Sequence, residues 1–553
     1  MKKNDRFIDS IRHRLTPIEN HVIDEFAAGR LGRRDFLRHG ARFGMSVPLL
    51  GALAGAFGSG LLAASSAEAG KPGGTIRVAV TRPTGAIDPV TIDDQTLVLP
   101  QQTGEFLSFS DPGLVLRPVL AESWSANQDG SVWSFKIRKG VKFHNGKAMT
   151  ADDVVATFDR LSDPKGGSNA LSVFGGVLSK GGTKKINDYA VEFHLDAPNG
   201  NFPYLVSSDN YNAVILPVDY AGEYEKTFIG TGPFKLDKFT TNVGVSFVRN
   251  PDYWGPTALA DRIEFSFYSD LQAELLALQG RQVDIVNPVP VQGGQGVLRD
   301  PRFRVISVKS SAHQQLHMRT DMAPFTDKRV RRAVALCLNR TQLVKGLFQG
   351  RATVGNDSPF APIFPSTNRS VPQRVQDLRE AKHLLEAAGL PNGFDVKLTT
   401  EHFLEIPNYA VVVQSAVKKV GIKIDLTIED QMAYYGKAVY GQSDWLDSVM
   451  GITDYGHRGT PNVVLSAPLK SDGVWNSARF KNKEYDSLVA QYVAALDLQS
   501  QRAAAGKVQQ LLLDETPIIF GYFYDWLVVT TKNLTGVGAT ATGQLYLHQA
   551  SFT

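Results

Sequence analysis

Residues Leu120 to Leu161, LAESWSANQDGSVWSFKIRKGVKFHNGKAMTADDVVATFDRL, constrain the fold more than any other part of the chain. Trp133, Phe135 and Ile137 alternate with Ser134, Lys136 and Arg138, and Val141 and Phe143 flank Lys142. That period of two is the pattern of a half-buried strand. Asn145-Gly146 predicts a turn. Thr150, with Asp153 three residues on, predicts a capping box at a helix start, and Val154, Val155, Phe158 and Leu161 give that helix one apolar face.

The same alternation continues along the chain. Strands are predicted at Gly74 to Thr81, at Tyr189 to Leu195, and at Phe234 onward, which turns near Asn242 and returns as VSFVRN. Ile263 to Ile285 reads as strand, helix and strand. A second block begins where Phe303 to Val308 leads into Ala312 to Thr320, and helices at Ala381 to Pro391 and Val411 to Val420 alternate with strands at Phe394 to Thr399 and Ile422 to Ile428. Such order predicts mainly parallel sheets covered by helices. Gln491 to Leu513 reads as one last helical stretch, and Pro517 to Val529 as an aromatic strand.

The first 69 residues read differently. Gly32-Arg33-Arg34-Asp35-Phe36-Leu37-Arg38 fits a twin-arginine export signal, followed by a Gly- and Ala-rich apolar run from Phe43 to Ala64 and by Ala67-Glu68-Ala69, which suits cleavage after Ala69. A periplasmic protein follows, exported by the twin-arginine translocase. Cys337 is the only cysteine, so no disulfide forms within the chain. Of the 59 basic and 55 acidic residues, ten and seven lie in residues 1–69, which leaves 49 and 48. That balance argues against a nucleic-acid partner.

Several phrases together resemble one family. Phe135-x-Ile137-Arg138-x-Gly140-Val141-x-Phe143-His144-x-Gly146, Thr150-Ala151-x-Asp153-Val154, Gly230-Thr231-Gly232-Pro233-Phe234, Asn250-Pro251-x-Tyr253-Trp254 and the helix after Pro324-Phe325 occur in the order found in the family 5 extracellular solute-binding proteins, the peptide, opine and nickel receptors of ABC importers. The resemblance implies a bilobed α/β receptor with two hinged lobes and an extra subdomain in the first. Its expected parts are a first lobe at 70–99, 216–312 and 517–553, the subdomain at 100–215, and a second lobe at 313–516. The hinge crossings are expected near Ala312 to His317 and Asp514 to Tyr522. The expected partners are a peptide or peptide-like solute and an inner-membrane ABC permease, with the receptor a monomer that carries no cofactor.

The resemblance also implies site residues. Asp454, in the Gly-rich turn expected at Gly451 to Gly456, resembles the loop aspartate with which peptide receptors hold an α-ammonium group, and a carboxylate in a closed cleft suits that task. The tryptophan that often precedes it is absent; Met450 and Ile452 stand there, with Tyr455 following. Arg319 stands where an asparagine is common, and its fork could hold a ligand carboxylate or make a structural salt bridge. Tyr522 and Tyr524 could wall the cleft or be plain core, and Thr81 ends the first strand, where loops meet ligand. His457 keeps a metal-chelate receptor open as an alternative. His313 and His317 lack the glutamate of a zinc protease helix and are expected as separate polar contacts. No Gly-x-Ser-x-Gly elbow, phosphate loop or Gly-x-Gly-x-x-Gly follows a strand, so a non-enzyme is expected, with a hydrolase on the same scaffold as the remaining alternative.

Overall fold

The computed structural model describes residues 71–92 and 96–553, together with Val22, Ile23, Phe36, Gly40 and Met45. Apart from those five, the export signal expected in residues 1–69 lies outside the described residues.

Two main sheets organise the molecule. One has seven strands, in spatial order Phe303–Val308, Trp526–Thr531, Ile285–Val286, Thr75–Thr81, Arg262–Tyr268, Gly244–Arg249 and Phe234–Thr240. The other has five: Lys423–Glu429, Asp395–Glu401, Met450–Tyr455, His313–Met318 and Ile518–Phe520. A smaller four-stranded antiparallel sheet, Ala121–Ala126, Val132–Ile137, Ala190–His194 and Thr183–Asn187, lies inside the stretch expected to form the subdomain. Strand Val132–Ile137 buries Trp133, Phe135 and Ile137, as its alternation requires. Helix Ala151–Leu161 starts at the expected capping box, with the Thr150 amide donating to Asp153 at 2.7 Å.

The expectation of mainly parallel sheets is corrected. Thr75–Thr81 runs parallel to Arg262–Tyr268 and Ile285–Val286, and Asp395–Glu401 runs parallel to Lys423–Glu429 and Met450–Tyr455. The other neighbours in both sheets are antiparallel. Two causes stand out. The turn at Asn242, with φ of 62°, folds Phe234–Thr240 directly back on Gly244–Arg249. The strands that come from the crossings enter each sheet against its parallel centre.

The 491–513 stretch is two helices, Lys483–Ala494 and Leu498–Glu515. Asp497 begins the second by accepting the Ser500 amide at 2.8 Å, a helix cap hidden in an otherwise apolar pattern. The 517–529 stretch is likewise three strands. Ile518–Phe520 joins the five-stranded sheet, Tyr522–Tyr524 pairs with Ala352–Val354, and Trp526–Thr531 enters the seven-stranded sheet. Gly521 and Asp525 separate them.

The chain therefore passes between the two sheets at 309–312 and again at 521–525, a few residues from the expected crossings. His313–Met318 is a fully buried strand, and residues 514–515 still belong to a helix. The two passages lie side by side. The Tyr524 amide donates to the Ala312 carbonyl at 2.9 Å, the Ser310 hydroxyl donates to the Tyr524 carbonyl, and Lys309 and Ser307 both bond the buried Asp525 carboxylate, at 2.9 and 2.8 Å. Cores form on either side of this join. Val528 packs in the core that extends to the four-stranded sheet, while Leu527 and Val529 face the core shared with Leu316, Ile452 and Tyr522.

Candidate functional site

The parallel strands of the five-stranded sheet end together at Glu401, Glu429 and the pair Asp454-Tyr455. The carboxyl edge of parallel strands is where open α/β sheets commonly meet ligands. Asp454 is part of strand Met450–Tyr455, opposite Gln314, and this corrects its expected place in a loop. Gly451 looked like a turn residue, but it serves close packing. A Cβ there would lie 2.6 Å from His317 Cε1 and 2.9 Å from the Thr399 carbonyl.

Asp454 is half-buried, and its carboxylate accepts the Tyr524 hydroxyl at 2.9 and 3.2 Å. Its amide donates to Glu401 Oε1 at 3.2 Å. Glu401 also accepts the Tyr435 hydroxyl at 2.9 Å and the Gln431 side-chain amide at 2.7 Å. Burial holds the Glu401 carboxyl above the usual carboxylate range, against those donors. Tyr435 is pushed up by burial and by the nearby Glu401 and Asp454 charges. Two carboxylates, two tyrosines and Gln314 thus gather at one strand edge beside the 521–525 passage. This set could hold a cationic group by charge-assisted hydrogen bonds. Sequence reading missed Glu401, Tyr435 and Gln314. For Glu401 the signal was a carboxylate just past a predicted parallel strand.

The other expected residues fare differently. Ile452 is fully buried in the core, its carbonyl capped by the Thr400 and Tyr434 hydroxyls, so its expected place in a cleft is corrected. Tyr455 points to the opposite face of the sheet from Asp454 and stacks on His313, with centroids 5.6 Å apart and planes at 9°. Of the two places open for Tyr522, cleft wall and core, it takes the core. It packs on Phe348 and Tyr409 at 4.6 and 5.1 Å and donates to Gln314 Oε1 at 2.5 Å. Arg319 grips Asp321 with Nε and Nη2, at 2.8 and 2.9 Å, and donates Nη1 to the Asp447 carbonyl, so its fork is a structural clamp. Thr81 donates to Glu274 at 2.7 Å, inside the seven-stranded lobe and without a bond to the Asp454 cluster. Burial raises the Glu274 carboxyl to about 7.

The histidines brace the passage. His457 Nδ1 accepts the Ser311 amide at 2.9 Å, and His313 Nδ1 donates to the Ser311 carbonyl at 2.8 Å. Burial lowers His457 to about 3 and His313 to about 4, so both are neutral. His317 bonds the Ser448 carbonyl at 3.1 Å. Among the described residues no three His, Cys, Asp or Glu side chains come together to hold a metal ion.

Two α/β lobes joined by paired extended passages, with a polar cluster at a strand edge beside them, define the class of hinged solute-binding receptors. Residues 115–460 match the bacterial extracellular solute-binding proteins, family 5 Middle, and the chain belongs to that family. It is 25% identical to heme-binding protein A of Haemophilus influenzae over 76% of this chain and 81% of that protein. It is 26% identical to di/tripeptide-binding protein 2 of Pseudomonas aeruginosa, over 78% and 85%. The fold is similar to the periplasmic binding protein DppA of Helicobacter pylori in complex with the peptide STSA, with a TM-score of 0.71, 23% identity, and 87% and 98% of the two chains covered. Family membership makes the protein a substrate-binding receptor of an ABC importer. No helix among the described residues is long and apolar enough to cross a membrane.

Proposed function

We propose that this protein is a periplasmic receptor that captures a di- or oligopeptide, or a related amine-bearing solute, between its two lobes and delivers it to an inner-membrane ABC permease. It reaches the periplasm through the twin-arginine translocase and acts as a monomer. Asp454 carries the reading. Its carboxylate stands at the carboxyl edge of parallel strands, steadied by Tyr524 from the passage between the lobes. An ammonium arriving there meets a carboxyl acceptor already held in place, which reduces the ordering cost of binding. Relatives that bind di- and tripeptides agree with a ligand of this class.

Mass spectrometry of what copurifies with the chain identifies the ligand. Asp454→Asn keeps the shape and removes the charge, so it should weaken an amine-bearing ligand by about 1.5–3 kcal/mol, more than tenfold. An analogue with an acetylated amine should bind both proteins equally. Calorimetry on both proteins with both ligands isolates the interaction, and equal binding of the free amine would sink the assignment.

A further inference from the structure

Outside the Asp454 cluster, one carboxyl is pressed against the far side of the molecule. Asp209 follows the four-stranded sheet in sequence, and its segment is anchored: the Ser208 amide donates to the Ser108 carbonyl at 3.0 Å, Gln544 donates to the Ser208 carbonyl at 2.6 Å, and the Ser207 hydroxyl donates to the Tyr204 carbonyl at 2.8 Å. Gly459 comes from the other side, four residues past strand Met450–Tyr455. It is held by the passage, because the Arg458 amide donates to the Ser311 hydroxyl at 3.0 Å and that hydroxyl donates back to the Arg458 carbonyl at 2.9 Å. The two segments touch. A Cβ at Gly459 would overlap the Asp209 carboxyl and lie 3.0 Å from Tyr204 Cδ1, so this position needs glycine.

Asp209 is half-buried as a residue, yet its Oδ2 is out of reach of water and has no hydrogen-bond partner. The groups that face the carboxyl do little for its charge. Ser110 faces it with a hydroxyl, and Arg458 faces it without forming an ion pair, its Nη1 donating to the His457 carbonyl at 3.1 Å. Asp111, paired with Arg117 at 2.8 Å, adds repulsion. The Tyr546 hydroxyl, kept protonated by burial, donates to Gln544 Oε1 at 3.1 Å, and the Tyr204 hydroxyl donates to the Leu114 carbonyl at 2.6 Å. Burial outweighs Arg458 and raises the Asp209 carboxyl to about 7.

We propose that Asp209 is a proton-linked latch: the lobes close on its neutral form, taking up one proton from solvent, and its ionisation favours opening, which lets water reach the charge. This inference goes beyond capture of a solute and rests on the hinged closure proposed above. In the open form the carboxyl returns to the ordinary range, about 3.9. A closed-state value above the open-state one favours closure fully below that range, and the advantage is lost as pH rises toward about 7, by up to about tenfold in the closed-to-open ratio per pH unit.

Spin labels on Ile186→Cys and Val439→Cys, in the full chain dialysed free of small molecules, read the distance between the four-stranded and five-stranded sides. Both positions are exposed, while Cys337 is fully buried and stays unlabelled. Pulsed electron resonance from about pH 5.5 to about pH 8 should show the closed-to-open ratio fall at least about tenfold. Asp209→Asn should hold the ratio constant. A ratio that ignores pH but rises with the copurified solute overturns the proton link and leaves the receptor reading intact, and a ratio that answers to neither overturns both. The same pH response in Asp209→Asn would assign it to another group and overturn the latch. Asp209→Ser decides the matter by the same loss of response if the Asn variant folds poorly.

Discussion

Tyr524 donates its hydroxyl to both carboxylate oxygens of Asp454, at 2.9 and 3.2 Å, although the two residues belong to different sheets. Tyr524 sits in the passage between the lobes and pairs with the 352–354 strand, while Asp454 sits in the five-stranded sheet. The bond ties the candidate ligand anchor to the segment that would flex when the lobes move.

Tyr524→Phe removes that donor and should lower stability by about 1.5–3 kcal/mol, as expected for a hydrogen bond to a charged group. Combined with Asp454→Asn it should cost less than the two changes summed, because each breaks the same bond. Urea unfolding of the four proteins gives the coupling. Strict additivity would show that the contact contributes nothing.

Asp357 is fully buried between two guanidinium groups, with Arg340 Nη2 at 2.7 Å from both carboxylate oxygens and Arg374 Nη1 at 2.7 Å from one. Asp357→Asn leaves two cations without a counter-charge. A loss of about 3–5 kcal/mol is expected, seen as a lower urea midpoint. A midpoint equal to the parent's would mean that water or a rearranged carboxylate takes over.

The buried histidines make the passage acid-labile. His457 is lowered to about 3 and His313 to about 4, both by burial, against an unfolded value near 6.5. A depressed folded value means that stability is present above pH 6.5 and is lost as pH falls toward the folded pKa. Across that window one such histidine contributes up to about 1.4 kcal/mol per pH unit. His457→Asn retains an acceptor for Ser311 but does not titrate, so its melting temperature should fall less than the parent's between pH 6.5 and 4.5. Parallel curves would remove His457 from the account.

Ligand should compact the molecule without altering its oligomeric state, since closure of two lobes about the 309–312 and 521–525 passages buries surface of both. Small-angle scattering with and without the copurified solute measures it. An unchanged radius of gyration at saturation would argue against hinge closure.

Much of the scaffold is legible from local pattern, and the reasons are visible at single residues. Thr150 and Asp153 form their capping box through contacts three residues apart, and Asn145-Gly146 turns as expected, with the Gly146 amide bonded to the Phe143 carbonyl. What sequence could not show depends on distant contacts. Gly451 exists for the close approach of His317 and the Thr399 carbonyl, which arrive from other strands, so a glycine that reads as a loop is part of a sheet. For Arg319 the sequence left a ligand contact and a salt bridge both open, and Asp321, two residues away, makes the salt bridge. Tyr522 and Tyr524 alternate as a single strand would, yet Tyr522 lies in the core and Tyr524 meets the anchor carboxylate.

The route of residues 518–531 bears on the order in which the protein can be made. This one stretch supplies a strand to three sheets in turn, and Trp526–Thr531 is the only link between Phe303–Val308 and Ile285–Val286 in the seven-stranded sheet. A nascent chain that has reached residue 517 has every helix described here but neither large sheet complete. Both main sheets receive their last strand from the same late segment, so a chain that ends short of residue 518 lacks an edge strand of the five-stranded sheet and an interior strand of the seven-stranded one.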